Sequence, residues 1–221
     1  MRFLLIAFLC ALPAHGRVLD VHSEIRVRKS GELTVTERIT LEAREKTGAL
    51  QRELPQASRV VDVIRNGHPE SYVLDGVRLR VGGAALPEGR HLYQITYRCC
   101  ARRIAFLSDH DALHWNLKGG ERITAEVILP SSVPARQIKV EASGGGSYQS
   151  FVRDGRAAFR AQEDITIVVR FPKGVVAEPA MDQRARWFFS DYFGAVLVLA
   201  LIGLTAWFLI QAKKLSRTRG Y

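Results

Sequence analysis

Alternation with a period of two runs through most of the chain and limits its fold more than any other feature. Ile25 and Val27 lie on one side of Lys29-Ser30-Gly31-Glu32, and Leu33, Val35, Ile39 and Leu41 continue the pattern beyond it. Apolar residues two apart share one face of a strand, so this reads as a hairpin closed by a Gly-containing turn. Asn66-Gly67, Asp75-Gly76 and Asp154-Gly155 interrupt other alternating runs. These dipeptides supply the positive φ that tight hairpins require. Further strands fit Leu92–Tyr97, Arg102–Leu107, Arg122–Leu129, Gln137–Glu141 and Ile165–Phe171. No stretch from Arg17 to Val176 keeps a helical period. The expectation is an all-β fold: an antiparallel β-sandwich of about a dozen short strands, in two sheets, over residues 17–176. Ser143-Gly144-Gly145-Gly146-Ser147 reads as a loop, because no helix follows it to make a phosphate cradle.

The two ends break the pattern. Arg2 precedes a short apolar run, Phe3–Leu12, and Ala14-His15-Gly16 supplies small residues before Arg17. That layout is a secretory signal peptide over residues 1–16. Tyr192–Ile210 is a longer run without any charge. As a helix it measures about 28 Å, close to the roughly 30 Å of a hydrocarbon core. Trp187, Phe188, Phe189, Tyr192 and Phe193 cluster at one end, and Trp207 and Phe208 at the other. Lys213, Lys214, Arg217 and Arg219 follow without an acid. Aromatic belts and the positive-inside rule make residues 192–212 a single C-terminal transmembrane helix. The lipid bilayer is thus an expected partner. Residues 177–191 read as a juxtamembrane linker and residues 213–221 as a basic cytoplasmic tail. The β domain then lies outside the cell (inner or plasma) membrane.

The 221-residue chain carries a net charge of +10. Half of that excess is Arg2 and the four tail cations, leaving about +5 for the exported part. Its arginines alternate with apolar residues, as in Ile25-Arg26-Val27-Arg28 and Val77-Arg78-Leu79-Arg80. That is the pattern of solvated outer strand faces, and no nucleic-acid partner is expected. Glu37 is the exception, because it falls in the apolar register of its strand. A carboxylate there needs either an edge position or an arginine. After signal cleavage two cysteines remain, Cys99 and Cys100. Adjacent Cα atoms lie about 3.8 Å apart, too close for a relaxed bridge. One thiol should point inward with Tyr93, Ile95 and Tyr97. The other, Cys100, is the candidate for an intermolecular disulfide.

Ser108–Gly120, SDHDALHWNLKGG, is the stretch most easily read as chemistry. His110 and His114 have a spacing that suits a metal on a helix face. The flanking sequence is extended, however, and residues four apart on a strand are about 13 Å apart. No HExxH motif, paired-cysteine framework or Gly-x-Ser-x-Gly elbow occurs. A structural role is favoured: no catalytic residue, no metal and no cofactor. In that role Asp109 and Asp111 satisfy turn amides, Trp115 fills the core, Asn116 closes the next bend, and Gly119-Gly120 lets the chain reverse.

Taken in order, several segments resemble the YciQ-like family of predicted membrane proteins. They are Gly31–Glu37, Gly48–Pro55, Tyr93–Tyr97, Asp109–Asn116 and Ile165–Gly174. The resemblance covers the exported domain of unknown function (family 2207) and the first span; longer members continue into further membrane helices. It implies a signal peptide, an exported β domain and a membrane anchor, and it implies no reaction. The chain has no Asn-x-Ser/Thr acceptor, which agrees with a bacterial source. The leading expectation is a single-pass, extracytoplasmic binding or interaction module of the bacterial cell envelope. Its partner is an envelope protein or a second copy of itself. The rivals are an envelope hydrolase or metalloprotein using Asp109–His114, and an accessory subunit of a larger membrane complex.

Overall fold

A computed structural model describes residues 16–44, 47–83, 86–99, 101–144, 146–182, 198, 201–205 and 207. It divides into two units, residues 1–178 and 179–221. The first unit is built of strands: β1 Arg17–Val27, β2 Leu33–Ala43, β3 Leu50–Glu53, β4 Arg59–Arg65, β5 His68–Pro69, β6 Tyr72–Asp75, β7 Arg78–Val81 and β8 Gly89–Cys99, followed by β9 Ile104–Phe106, β10 His110–Leu117, β11 Arg122–Ile128, β12 Lys139–Gly144, β13 Tyr148–Arg153, β14 Arg156–Ala161 and β15 Ile165–Pro172. The only helical turns among its described residues are short 3₁₀ turns at Ala101–Arg103 and Ala135–Gln137. The expectation of a mostly β chain therefore holds.

The strands form three sheets rather than two. Eight run in the order β13-β14-β11-β1-β2-β8-β4-β5, four as β12-β15-β10-β9, and three as β3-β7-β6. The large sheet is mixed, not purely antiparallel, because β1 pairs with β11 in parallel, Val21 opposite Ile123 and Ile25 opposite Val127. Side-chain alternation reports which face is buried but not which way a neighbouring strand runs, so a sequence of this kind does not announce a parallel pair. The local turns are as expected. Gly31 (φ +81°) closes the β1–β2 hairpin, and its N–H donates to the Arg28 carbonyl at 2.9 Å. Asp75 faces Arg78 and Arg153 faces Arg156 across two-residue turns. Asn66-Gly67 also reverses the chain, but only into the two residues of β5. Pro69 has no N–H to continue a ladder. β6 then leaves for the small sheet instead of pairing with β4.

Inner faces of all three sheets contribute to one core cluster. Val21, Ile25, Val35, Ile39, Ile95 and Ile123 come from the large sheet, Leu113, Ile167 and Phe171 from the second, and Leu79 and Val81 from the third. Each large apolar side chain removed from water there contributes about 1.5–3 kcal/mol. Tyr93, Tyr97 and Cys99 share the buried face of β8, as their spacing predicts. At the free edge of the large sheet β13 leaves Tyr148 and Phe151 exposed.

In the second unit Met181, Asp182, Val198, Leu201–Thr205 and Trp207 are helical. The Thr205 hydroxyl turns back onto the Leu201 and Ile202 carbonyls at 2.9 and 2.8 Å. No helix among the described residues is long and apolar enough to cross a membrane, so the expected C-terminal span is not supported by the described structure. Most of residues 192–212 lie outside the described residues. So do residues 1–15 of the expected signal peptide 1–16, the expected tail 213–221 and Cys100.

Candidate functional site

The polar stretch forms β10, and its two ends do different things. At the start, Asp109 sits in the turn from β9, where the Leu107 N–H donates to the His110 carbonyl at 3.0 Å. The Asp109 carboxylate lies 2.8 Å from His110 Nδ1. That hydrogen bond, with help from backbone amides, holds the Asp109 carboxyl below its usual range. Asp111 is fully buried, opposite Phe171 of β15. It does not cap a turn, contrary to the sequence expectation. Its Oδ1 accepts from Lys173 Nζ at 2.9 Å, and the same ammonium donates to Glu178 at 2.7 Å. Glu178 first, and then Asp111, raise the Lys173 pKa. Lys173 also lies over the Phe106 ring at 5.7 Å. The knot pins the exit of the domain, where the Ala177 N–H donates to the Lys29 carbonyl at 2.7 Å. Asp111 Oδ2 and His110 Nε2 are buried without a hydrogen-bond partner.

His110 and His114 do not converge. His110 is half-buried in the knot and His114 points to solvent from the same extended strand. No group of three His, Cys, Asp or Glu side chains among the described residues could hold a metal ion.

The far end of β10 enters a cleft. Trp115 is buried there, with the Arg103 guanidinium 5.9 Å from its ring centre. Asn116 does not close a bend. It lies within the strand, and its Oδ1 accepts from the Thr166 hydroxyl at 3.0 Å. Gly119 makes the reversal with φ +81°, and its N–H donates to Asp164 at 2.8 Å. A Cβ on Gly119 would come within 2.9 Å of Arg52 Nη1, and one on Gly120 within 2.9 Å of Val21 Cγ2. The two glycines thus let the turn lie against the arginine and the core.

Arg52 is the partner that Glu37 needs. Glu37 lies in β2, which is flanked by β1 and β8, so it is not at an edge. Its Oε2 accepts from Arg52 Nε at 3.1 Å and Nη2 at 2.8 Å, and its Oε1 accepts from the Tyr97 hydroxyl at 2.9 Å. Arg52 Nη1 also donates to the Lys118 carbonyl at 3.1 Å. One side-chain network therefore ties β2, β3, β8 and the turn after β10. The pair is largely withdrawn from water, with the Glu37 and Arg52 side chains 7% and 14% exposed. A charge so placed tolerates burial only while paired and hydrogen-bonded.

This network floors a cleft of about 270 Å³, lined by Glu37, Gln51, Arg52, Glu53, Leu54, Pro55, Tyr97, Arg103, Trp115, Asn116 and Lys118. The lining holds no Ser, Thr, Cys or His, and the Tyr97 hydroxyl is occupied by Glu37. Its polar lining is made of the Glu37 and Glu53 carboxylates, the Arg52, Arg103 and Lys118 cations and the Gln51 and Asn116 amides. Sequence reasoning found Glu37, Trp115, Asn116 and Gly119. It missed Arg52, Tyr97, Arg103 and Lys118, which reach the cleft from separate strands and turns; the unpaired register of Glu37 was the one signal for Arg52.

Tyr97 yields a pH prediction. Burial, and then the adjacent Glu37 charge, raise its pKa well above the ordinary 10.0, and burial raises Tyr93 likewise. In the unfolded chain both phenols ionise near 10.0, whereas the folded domain keeps them protonated to higher pH. Above that pH the unfolded state binds fewer protons, so stability is full below about pH 10 and falls as pH rises, by up to about 1.4 kcal/mol per pH unit for Tyr97 and by less for Tyr93. Urea unfolding at pH 9 and 11 should show this fall, and Tyr97→Phe should make it shallower. Equal slopes for both proteins would contradict the assignment.

No protein-family model matches the chain. A search of curated proteins finds no match. Among solved structures, native yeast LTA4 hydrolase is similar over 71% of this chain and 29% of its own, at 13% identity and a TM-score of 0.50. The yeast enzyme bound to bestatin gives 70% and 28%, 13% identity and 0.51. An M1 zinc metallopeptidase from Deinococcus radiodurans gives 71% and 43%, 18% identity and 0.45. The chain spans under a third of the yeast proteins and under half of the bacterial one. The yeast likenesses concern the fold alone.

Proposed function

We propose that the chain is a membrane-tethered binding domain of the bacterial cell envelope, related to the exported part of YciQ-like proteins. Residues 1–16 direct export, and the β-sandwich of residues 17–176 lies outside the cell. Residues 192–212 cross the bilayer, and residues 213–221 stay in the cytoplasm. The uncharged run, its aromatic ends and the basic tail support this topology. So do Val198, Leu201, Ile202, Leu204 and Trp207, helical side chains more than half exposed that suit lipid better than water.

One observation carries the binding reading: the cleft over the Glu37–Arg52–Tyr97 floor. Its floor is fixed by a buried network, and its lining supplies several polar groups but no Ser, Thr, Cys or His. Pre-formed concavity with a few convergent polar groups is what a ligand seat requires. The occupant is a group presented by another envelope molecule.

Two measurements test the proposal. Protease added to intact spheroplasts should remove the β domain and spare the basic tail; a protected domain with a clipped tail overturns the topology. A photo-reactive residue at Gln51, in the cleft, should cross-link to a defined envelope species in living cells. The same residue at Leu92, on an exposed outer face, should not. Equal background at both positions overturns the cleft as a binding site.

A further inference from the structure

We propose that the cleft is an oxyanion site that takes a carboxylate or phosphate terminus of its ligand, with Arg103 and Lys118 as the binding cations. The inference rests on the reading of the cleft as a ligand seat and specifies the chemistry of the group seated there. Four observations carry it.

The first is charge without compensation. Arg52 is neutralised by Glu37, but Arg103 and Lys118, which line the same cleft, make no ion pair with any described acid. Some surface arginines are paired, Arg26 with Glu24, Arg156 with Glu126 and Arg170 with Glu141, and others such as Arg78, Arg80, Arg90 and Arg98 have no ion pair among the described residues; what sets Arg103 and Lys118 apart is that both line one cleft. Glu53 is the acid on the rim, and it too is without an ion pair. Two cations and one acid leave the mouth positive.

The second is orientation. The Arg103 guanidinium carbon lies 5.9 Å from the Trp115 ring centre, within cation–π reach, a contact that leaves guanidinium N–H groups free to donate. Those donors form a planar fork that matches two oxygens of a carboxylate or phosphate. Trp115 is itself buried in the core, so the aromatic face beside Arg103 is in place before a ligand arrives.

The third is the backing. Buried Glu37 binds Arg52 through two donors and Tyr97 through one, and Arg52 ties back to the Lys118 carbonyl. Lys118 therefore stands on a turn whose backbone is clamped, with Gly119 shaped to receive the Arg52 side chain. The fourth is size. A cleft of about 270 Å³ lies below the roughly 300–1,000 Å³ of sites that enclose a whole small ligand. It suits the charged end of a longer molecule.

The test uses the full chain in detergent micelles, labelled with 5-fluorotryptophan. The chain has three tryptophans, and the Trp115 resonance is assigned by Trp115→Phe. Phenylacetate, inorganic phosphate and neutral phenylacetamide are titrated in turn. The expected result is a saturable shift of the Trp115 signal with phenylacetate and with phosphate, and at least tenfold weaker binding of phenylacetamide. Arg103→Gln should weaken anion binding about tenfold. Lys118→Gln, at an exposed position, should weaken it independently, so the test does not depend on a single variant. A preference for phenylacetate over phosphate assigns a carboxylate terminus, and the reverse assigns a phosphate. If phenylacetamide binds as well as phenylacetate, the oxyanion assignment is overturned while the ligand seat stands. If no probe gives a saturable shift, both fall.

Discussion

Glu37→Ala is expected to destabilise the β domain by about 3–5 kcal/mol, the cost of leaving a buried charge without its partner. Arg52 would keep its position between β3 and the Lys118 carbonyl with no carboxylate to answer its Nε and Nη2. The Tyr97 hydroxyl, on a side chain 1% exposed, would lose its acceptor as well. The comparison that isolates the pair is Glu37→Leu with Arg52→Leu. Removing both charges and filling the space with apolar atoms should recover much of the loss, because a buried ion pair contributes little beyond an apolar pair of similar volume. Chemical denaturation of the full chain in micelles, followed by near-ultraviolet circular dichroism, measures both. A loss below about 1 kcal/mol for Glu37→Ala would mean that water reaches the network freely, contrary to the low exposure of both side chains. The double variant should also relax the cleft floor, so its anion binding should weaken even where stability returns.

Trp115→Ala should have a comparable effect, about 3–5 kcal/mol, since it empties a large buried volume. Trp115 is 4% exposed and faces Ile167 of β15 across the ladder, at the centre of the second sheet. Two consequences separate it from a simple core deletion. Arg103 loses the ring that orients it, so anion binding should fall further than stability alone explains. Trp115→Phe should restore much of the stability and, by keeping an aromatic face, part of the binding. Because these variants lack the Trp115 signal, their anion binding is read by isothermal titration calorimetry with phenylacetate and phosphate; if Trp115→Ala bound these anions as well as the parent protein, the contact between Arg103 and the ring would have no part in the site.

The hairpins at Gly31, Asp75-Gly76 and Asp154-Gly155 were legible because each is local: a turn residue with the right φ stands between two alternating runs. The inward face of β8 was legible for the same reason. Glu37 could be recognised as needing a partner because a carboxylate in an apolar register is costly alone. Which arginine answers it could not be read, since Arg52 arrives from a different sheet. Asp111 and Asn116 show the converse. Both were assigned to turns from residue type, yet both lie within β10, at ends about 17 Å apart along a strand. Their partners Lys173 and Thr166 belong to or follow β15, more than fifty positions away for Asp111 and fifty for Asn116. Pairing over such separations leaves no periodic trace. The parallel β1–β11 ladder and the third sheet were invisible on the same grounds.

The place of β1 within its sheet sets when this domain can become whole during biosynthesis. β1 is the earliest strand, yet it lies between β2 and β11, and β15, the last strand, lies inside its own sheet between β12 and β10. A ribosome must therefore deliver nearly the entire domain before either ladder is complete, and such long-range closure is intrinsically slow. Local hairpins such as β1–β2 can pair early, but both large ladders, and the core they cover, stay open until the last strands emerge.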